Sequence, residues 1–191
     1  MGGGAALHRD DEIIRLCQQG RHEGFSLLLR TYQGRVYRRA YSFLRNRDDA
    51  LDATQDVFLR VLPAISRFRA GSSLWPWLRR ITTNTCLNHL RAKAGRPETL
   101  AWDHAVEELE AVPDWHDPQA ALELASDRDS LDRALAKLPA PYRIVVLLRH
   151  EEDMTYEQIA EMTNLPLGTV KTYLFRARKA LREALRNEVA R

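Results

Sequence analysis

Three clusters of side chains in this sequence have the types and spacing to meet a charged partner. The first is basic and aromatic. In "PLGTVKTYLFRARKAL", Pro166 to Leu181, the residues Val170, Leu174, Ala177 and Leu181 step i, i+4, i+7, i+11, one apolar stripe of an α-helix. Lys171, Thr172, Phe175, Arg176 and Lys179 are left for the opposite face. A basic helical face is commonly just solvated. A phenylalanine among its cations is harder to leave in water. It suits an anionic surface with apolar edges, such as a DNA groove.

The second cluster is "FRAGSSLWPWLRRITTNTCLNHLR". Leu74, Leu78 and Ile81 set an inward face, which leaves Arg80, Asn84, Asn88 and Arg91 on another side with Trp75 and Trp77 at the start. Aromatics beside amides and guanidinium groups serve single-stranded nucleic acid, whose bases stack on rings while cations follow the phosphates. Two tryptophans are equally suited to anchoring a core, and that reading is favoured for Trp75 and Trp77 taken alone. The third cluster is acidic. In "DDALDATQD", Asp48, Asp49 and Asp52 fit DDxxD, the pattern with which all-α isoprenoid synthases hold magnesium on a diphosphate. Those enzymes resemble one large helical barrel with a second metal motif, and no second motif is visible here. An acidic helix face for a basic protein partner explains the same residues with fewer requirements.

The elements that must carry these clusters are helices. Thr155 followed by Gln158 is a capping box that starts one; Asn164 can end it in the left-handed conformation, and Pro166 blocks its continuation. Gly168-Thr169 permits a restart. Two short helices joined by a tight turn, with Ala160 in the first and Val170 five residues past Leu165, match helix-turn-helix spacing, in which the second helix enters the major groove. Residues 168–191 carry seven Lys/Arg against Glu183 and Glu188, a charge of +5. Further upstream, "DDEIIRLCQQG" is a short helix closed by Gly20. Phe25, Leu28, Leu29, Tyr32 and Val36 head a longer one to about Arg45. Asp48 is placed to cap a third, which carries Leu51, Val57, Phe58 and Val61 inward until Pro63 ends or bends it. Ser73 is placed to cap the fourth, with Pro76 tolerated in its first turn. Past Ser126, Leu131, Leu135, Leu138, Ile144, Val145 and Leu148 resume the helical pattern. No convincing strand and no repeat is evident.

Charge is unevenly spread over the 191 residues. From Pro97 to Glu123 there are eight acidic residues and no Lys or Arg, so the rest of a chain of net charge +3 carries +11. The acidic stretch holds Pro97, Pro113 and Pro118 and is expected to be a self-repelling, extended linker. Cys17 and Cys86 lack a CxxC or a His cluster, so reduced, buried thiols are expected and a zinc site is not. No apolar run has the length of a membrane span and "MGGGAALHRDDE" is not a signal peptide, so a cytoplasmic protein without direct membrane insertion is expected. The fold class is all-α: an N-terminal helical bundle over 1–96, an acidic linker over 97–125, and a C-terminal helix-turn-helix domain over 126–191.

In combination these motifs resemble the extracytoplasmic-function (ECF) sigma factors, the small two-domain members of the sigma-70 family. "LPxxYRxVxxLR" before "TYEQIA" and "PLGTVKTYLFRAR" carries most of the likeness, which spans about residues 20–187. The resemblance implies a protein that binds core RNA polymerase and directs it to a promoter, with no catalytic residues, cofactor, metal or small-molecule substrate. It assigns the acidic helix, with Asp49, Asp52, Gln55 and Asp56, to the β′ clamp helices of the polymerase, and gives the β flap as a further contact. Phe68 to Leu74, including Gly71, Ser72 and Ser73, match the loop that holds a base flipped from the melted non-template strand of the −10 element. Arg80, Asn84 and Asn88 fall where the next helix meets that strand. Lys171, Thr172, Phe175, Arg176 and Lys179 fall where the recognition helix reads the −35 element as duplex. An anti-sigma factor partner is implied. The linker is either a tether or, as in the family, a segment that threads the polymerase cleft. Pro63 interrupts a helix often continuous in the family. The competing reading is an ordinary helix-turn-helix regulator whose N-terminal helices sense a ligand or dimerise; the Asn-bearing helix at 73–92 separates the two, because a duplex-only binder has no need of it.

Overall fold

The computed structural model describes residues 3–69, 71–93 and 128–189, which fall into two compact units divided between Leu90 and Arg91. Every regular element among the described residues is helical. The expected linker, with the domain boundaries at 96 and 126, lies outside the described residues.

In the first unit, α1 (Gly3–Gln18) and α3 (Arg47–Ala64) both pack on α2 (His22–Leu44), and a 3-10 turn, Ile65–Arg67, packs against α1 and α3. Ile13 and Ile14 of α1, Leu28 and Val36 of α2, Val57 and Val61 of α3 and Ile65 of the turn are fully buried together. Leu74 and Leu78 bring the start of α4 (Leu74–Lys93) into the same core. Each such side chain contributes about 1.5–3 kcal/mol by leaving water. The approach of α1 to α2 depends on Gly24, where a Cβ would stand 2.6 Å from Cys17 N and 2.7 Å from Leu16 Cβ. No other residue fits there without moving backbone.

Three helix starts of this unit differ from the sequence expectation. α1 begins at Gly3, so Asp10 and Asp11 lie inside it instead of opening it. Asn46, not Asp48, caps α3: Arg45 adopts the left-handed conformation (φ 51°), Asn46 is the extended residue that follows, and its side chain accepts from Asp49 N at 3.0 Å. Asp48 and Asp49 then occupy the first turn, where carboxylates favour the helix dipole. Pro63 sits in the last turn of α3, and the chain continues as the 3-10 turn. At α4, Ser73 Oγ accepts from Trp75 N only at 3.4 Å, while Leu74 N donates to Asp10 instead.

In the second unit α5 (Arg128–Lys137), α6 (Ala140–His150) and α7 (Tyr156–Thr163) all pack on α8 (Leu167–Val189). The expected stripe is the buried one: Val170, Leu174, Ala177 and Leu181 are buried, as are Leu138, Ile144, Leu148 and Ile159 elsewhere in the unit. The capping box is complete, with Gln158 N donating to Thr155 Oγ1 at 3.3 Å and Thr155 N to Gln158 Oε1 at 2.8 Å. Asn164 closes α7 with φ 57°, and Leu165 N reaches back to Ala160 O at 3.1 Å. α8 starts at Leu167, one residue before the expected glycine.

Candidate nucleic-acid interface

The helix-turn-helix is held from within its own unit. Tyr142 of α6 and Tyr173 of α8 meet at 5.2 Å between ring centres, and Arg178 donates to Tyr156 Oη at 3.4 Å. With α8 fixed on that side, Lys171, Phe175 and Lys179 are exposed, and Thr172 and Arg176 are half-buried beside them. Phe175 keeps 43% of its surface open, although Leu174 next to it keeps 1%. Thr172 Oγ1 donates to Gly168 O at 2.9 Å, so its hydroxyl remains an acceptor to the outside. Glu157, in the first turn of α7, has its carboxyl held below the ordinary value by backbone and Thr155 hydrogen bonds, with Lys171 adding. Lys171 therefore works beside a carboxylate.

The first unit carries a different kind of surface. Arg80, Asn84 and Asn88 are exposed at i, i+4, i+8 along α4, while Thr82, Thr83, Thr85 and Cys86 are buried on its other sides. Arg39 of α2 locks that rotation: its Nε and Nη2 donate to Thr83 Oγ1 at 3.2 and 3.1 Å. At the start of α4, Gly71, Ser72 and Ser73 are exposed and Phe68 is half-buried. Trp75 and Trp77 are half-buried against the core, as anchors. Tyr32 stacks on Trp75 with rings 3° apart in tilt and centres at 6.3 Å, and the Arg35 guanidinium lies 3.9 Å over the same indole. Phe68 and Trp77 meet at 4.8 Å and, with Pro63, Ala64 and Arg67, line a cavity of about 510 Å³.

On α3, Asp52 and Gln55 are exposed and Asp49 is half-buried. Asp56 is partly exposed and is engaged by His89 of α4, Nε2 to Oδ2 at 2.8 Å. Leu59, 67% exposed, and Leu51, which is exposed and not inward as its spacing suggests, add apolar area to this acidic helix. Among the described residues, no group of three His, Cys, Asp or Glu converges as a metal site. No described helix is long and apolar enough to cross a membrane. Both cysteines are buried and free; burial pushes the Cys86 thiol up to about 12.

Sequence reasoning missed the residues of α1 that reach the loop. Asp10 Oδ1 accepts from Tyr32 Oη at 2.5 Å, and Asp10 Oδ2 from Ser73 Oγ at 3.2 Å and Leu74 N at 2.9 Å. Asp11 Oδ1 accepts from Gly71 N at 2.7 Å, and Gln18 Nε2 donates to Phe68 O at 2.9 Å. Burial, then the bond to Asp10, pushes the Tyr32 phenol upward, so it stays a donor. A signal was present: Asp10 shares the i, i+3, i+4, i+7 stripe with Ile13, Ile14 and Cys17, and a carboxylate at a core position must find donors.

Two folded helical units, the second with a helix-turn-helix, match known proteins in the same order. Residues 28–96 match the model of sigma-70 region 2, and residues 128–181 that of sigma-70, region 4. The chain is 30% identical over 187 residues to the RNA polymerase sigma-H factor of Pseudomonas aeruginosa, covering 93% of this chain and 94% of that one. It is 30% identical over 176 residues to the ECF RNA polymerase sigma-E factor of Escherichia coli, covering 90% and 92%. Among solved structures it is similar to the sigma factor RpoE in complex with the anti-sigma factor NepR from Bartonella quintana, at 25% identity and a TM-score of 0.48, over 85% of this chain and 96% of that one. The chain belongs to the extracytoplasmic-function sigma factors of the sigma-70 family.

Proposed function

We propose that this protein binds core RNA polymerase in the cytoplasm and directs it to a defined set of promoters, without chemistry of its own. The acidic face of α3, Asp49, Asp52, Gln55 and Asp56 with Leu59 among them, takes the β′ clamp helices. The second unit takes the β flap and reads the −35 element as duplex with Lys171, Thr172, Phe175, Arg176 and Lys179. The loop from Phe68 through Gly71, Ser72 and Ser73, with Arg80, Asn84 and Asn88 of α4, takes the melted non-template strand of the −10 element. Melting follows because bases captured there are no longer free to re-pair. An anti-sigma factor keeps the protein from polymerase until it is needed.

The observation that carries this reading is the exposed row Arg80, Asn84 and Asn88, locked in orientation by Arg39 and Thr83. A regulator that binds only duplex has no use for amides and a guanidinium presented beside an aromatic-lined loop. The test is reconstitution. Purified chain, core polymerase and a fragmented genomic library are incubated with nucleotides, and transcript starts are mapped. Starts that share upstream elements and depend on the added chain are expected. Transcription no different from core polymerase alone sinks the proposal.

A further inference from the structure

Asp10 is a carboxylate in a core position, with 2% of its surface exposed. A leucine there would complete the apolar stripe of α1 but would leave Tyr32 Oη, Ser73 Oγ and Leu74 N without their acceptor. The carboxylate does something a leucine cannot. The first N–H groups of a helix have no partner within it, and Asp10 supplies one for Leu74, the first residue of α4, while turning Ser73 toward itself. Asp11 holds the next point outward, Gly71 N at 2.7 Å. Gly71 has φ +83°, a conformation that leaves the backbone N–H aimed at α1 and that side chains rarely adopt. The acceptors on α1 thus fix the loop at its glycine and at its junction with α4, from sixty or more residues away in sequence.

We propose that Asp10 and Asp11 are positioning residues for the −10 loop: through Leu74, Ser73 and Gly71 they set the separation between the loop and the outer face of α4, and so decide which base the loop accepts. This rests on the reading of that loop as a single-strand binder. Neither carboxylate touches DNA; a negative charge facing phosphate would only repel it, and both are turned to the protein backbone.

Asp11 is partly exposed, so its removal leaves the core intact and makes the cleaner test. The full chain with core polymerase is presented with single-stranded DNA oligonucleotides randomised over the −10 element, and bound and unbound pools are sequenced. The parent enriches a preferred sequence. In Asp11→Ala, affinity for that sequence falls about tenfold, a net loss of one backbone hydrogen bond and its geometry. Discrimination collapses at one base position while the other positions keep theirs. Asp11→Asn, which keeps an acceptor oxygen, retains most of the discrimination. Asp10→Asn keeps shape but turns one acceptor into a donor, and shifts selectivity in the same direction. Binding of −35 duplex by Asp11→Ala matches the parent, and its thermal midpoint falls by no more than the loss of one hydrogen bond. Parental selectivity in Asp11→Ala overturns the proposal, and so does an equal loss at every position accompanied by a lower thermal midpoint, which would mark a merely structural role. A parent chain that enriches no sequence removes the reading of the loop itself, and the positioning role with it.

Discussion

Helix α7 is started by its own sequence and α4 by a distant one. The hydroxyl and amide that cap α7 lie three residues apart, and the turn that follows is closed by Asn164 within the same motif. The acceptor that caps α4 lies sixty-four residues upstream on another helix. The two proposed nucleic-acid surfaces inherit this difference. The helix-turn-helix is a local device, whose accuracy depends on short-range caps and on one buried stripe. The loop and α4 form a composite device, whose accuracy depends on how α1 and α2 are packed beneath them.

Adjacent residues of α8 probe the local device most severely. Leu174→Ala is expected to cost the second unit about 2–5 kcal/mol, because Leu174 is buried among α6, α7 and α8. Phe175→Ala leaves stability unchanged and weakens −35 duplex binding. Hydrogen exchange of α8 amides, read beside a duplex titration, separates them, and equal destabilisation by both breaks the assignment of faces. The composite device is probed by Gly24→Ala, which drives a methyl into the backbone of α1 and is expected to cost about 1–3 kcal/mol in the first unit. Urea unfolding followed by Trp75 and Trp77 should shift while −35 binding stays. A loss of −35 binding as well would mean the units are not independent.

Smaller effects separate the two surfaces directly. Arg176→Ala is expected to weaken duplex binding by about 1–3 kcal/mol with little change in folding. Asn84→Ala spares duplex and core binding, yet lowers open-complex formation about fivefold, the worth of one net hydrogen bond. Permanganate reactivity of promoter thymines reads the second; unaltered melting removes Asn84 from the surface. The least effect is one of pH, confined to the second unit. Burial, then Arg178 and Arg149, lowers the pKa of His150 from its ordinary 6.5, against an opposing pull from Asp153. The unfolded chain therefore takes up the proton first. The contribution is fully present above pH 6.5 and is lost as pH falls from there through the lower folded value. Hydrogen exchange in α6 and α8 should quicken modestly on acidification, and His150→Gln should flatten that response.

How far the sequence was legible follows the same division. The buried stripe of α8, the outward Phe175, the capping box and Asn164 could all be read, because each depends on partners within a turn or two. The start of α3 was misread because Asn46 and Asp48 are both good caps, and only the left-handed Arg45 before Asn46 decides between them. The supports of the −10 loop could not be read, since hydrogen bonds across sixty residues leave no spacing to count. Asp10 on an apolar stripe declared that a partner must exist without saying which. Asp56 was placed on the helix expected, but His89, which engages it, is thirty-three residues away and gave no sign.

The separation between Asp10 and Leu74 also orders events in time. Pairings between residues far apart close slowly, because the intervening chain must be gathered first. In the second unit α5, α6 and α7 likewise wait for α8, the helix on which all three pack. As the chain is synthesised from its N-terminus, α1 and α2 emerge with Tyr32 able to donate to Asp10 Oδ1, but Oδ2 has no protein donor until Ser73 and Leu74 arrive. A nascent chain halted short of Leu74 thus holds three helices and a loop whose junction with α4 is not yet fixed.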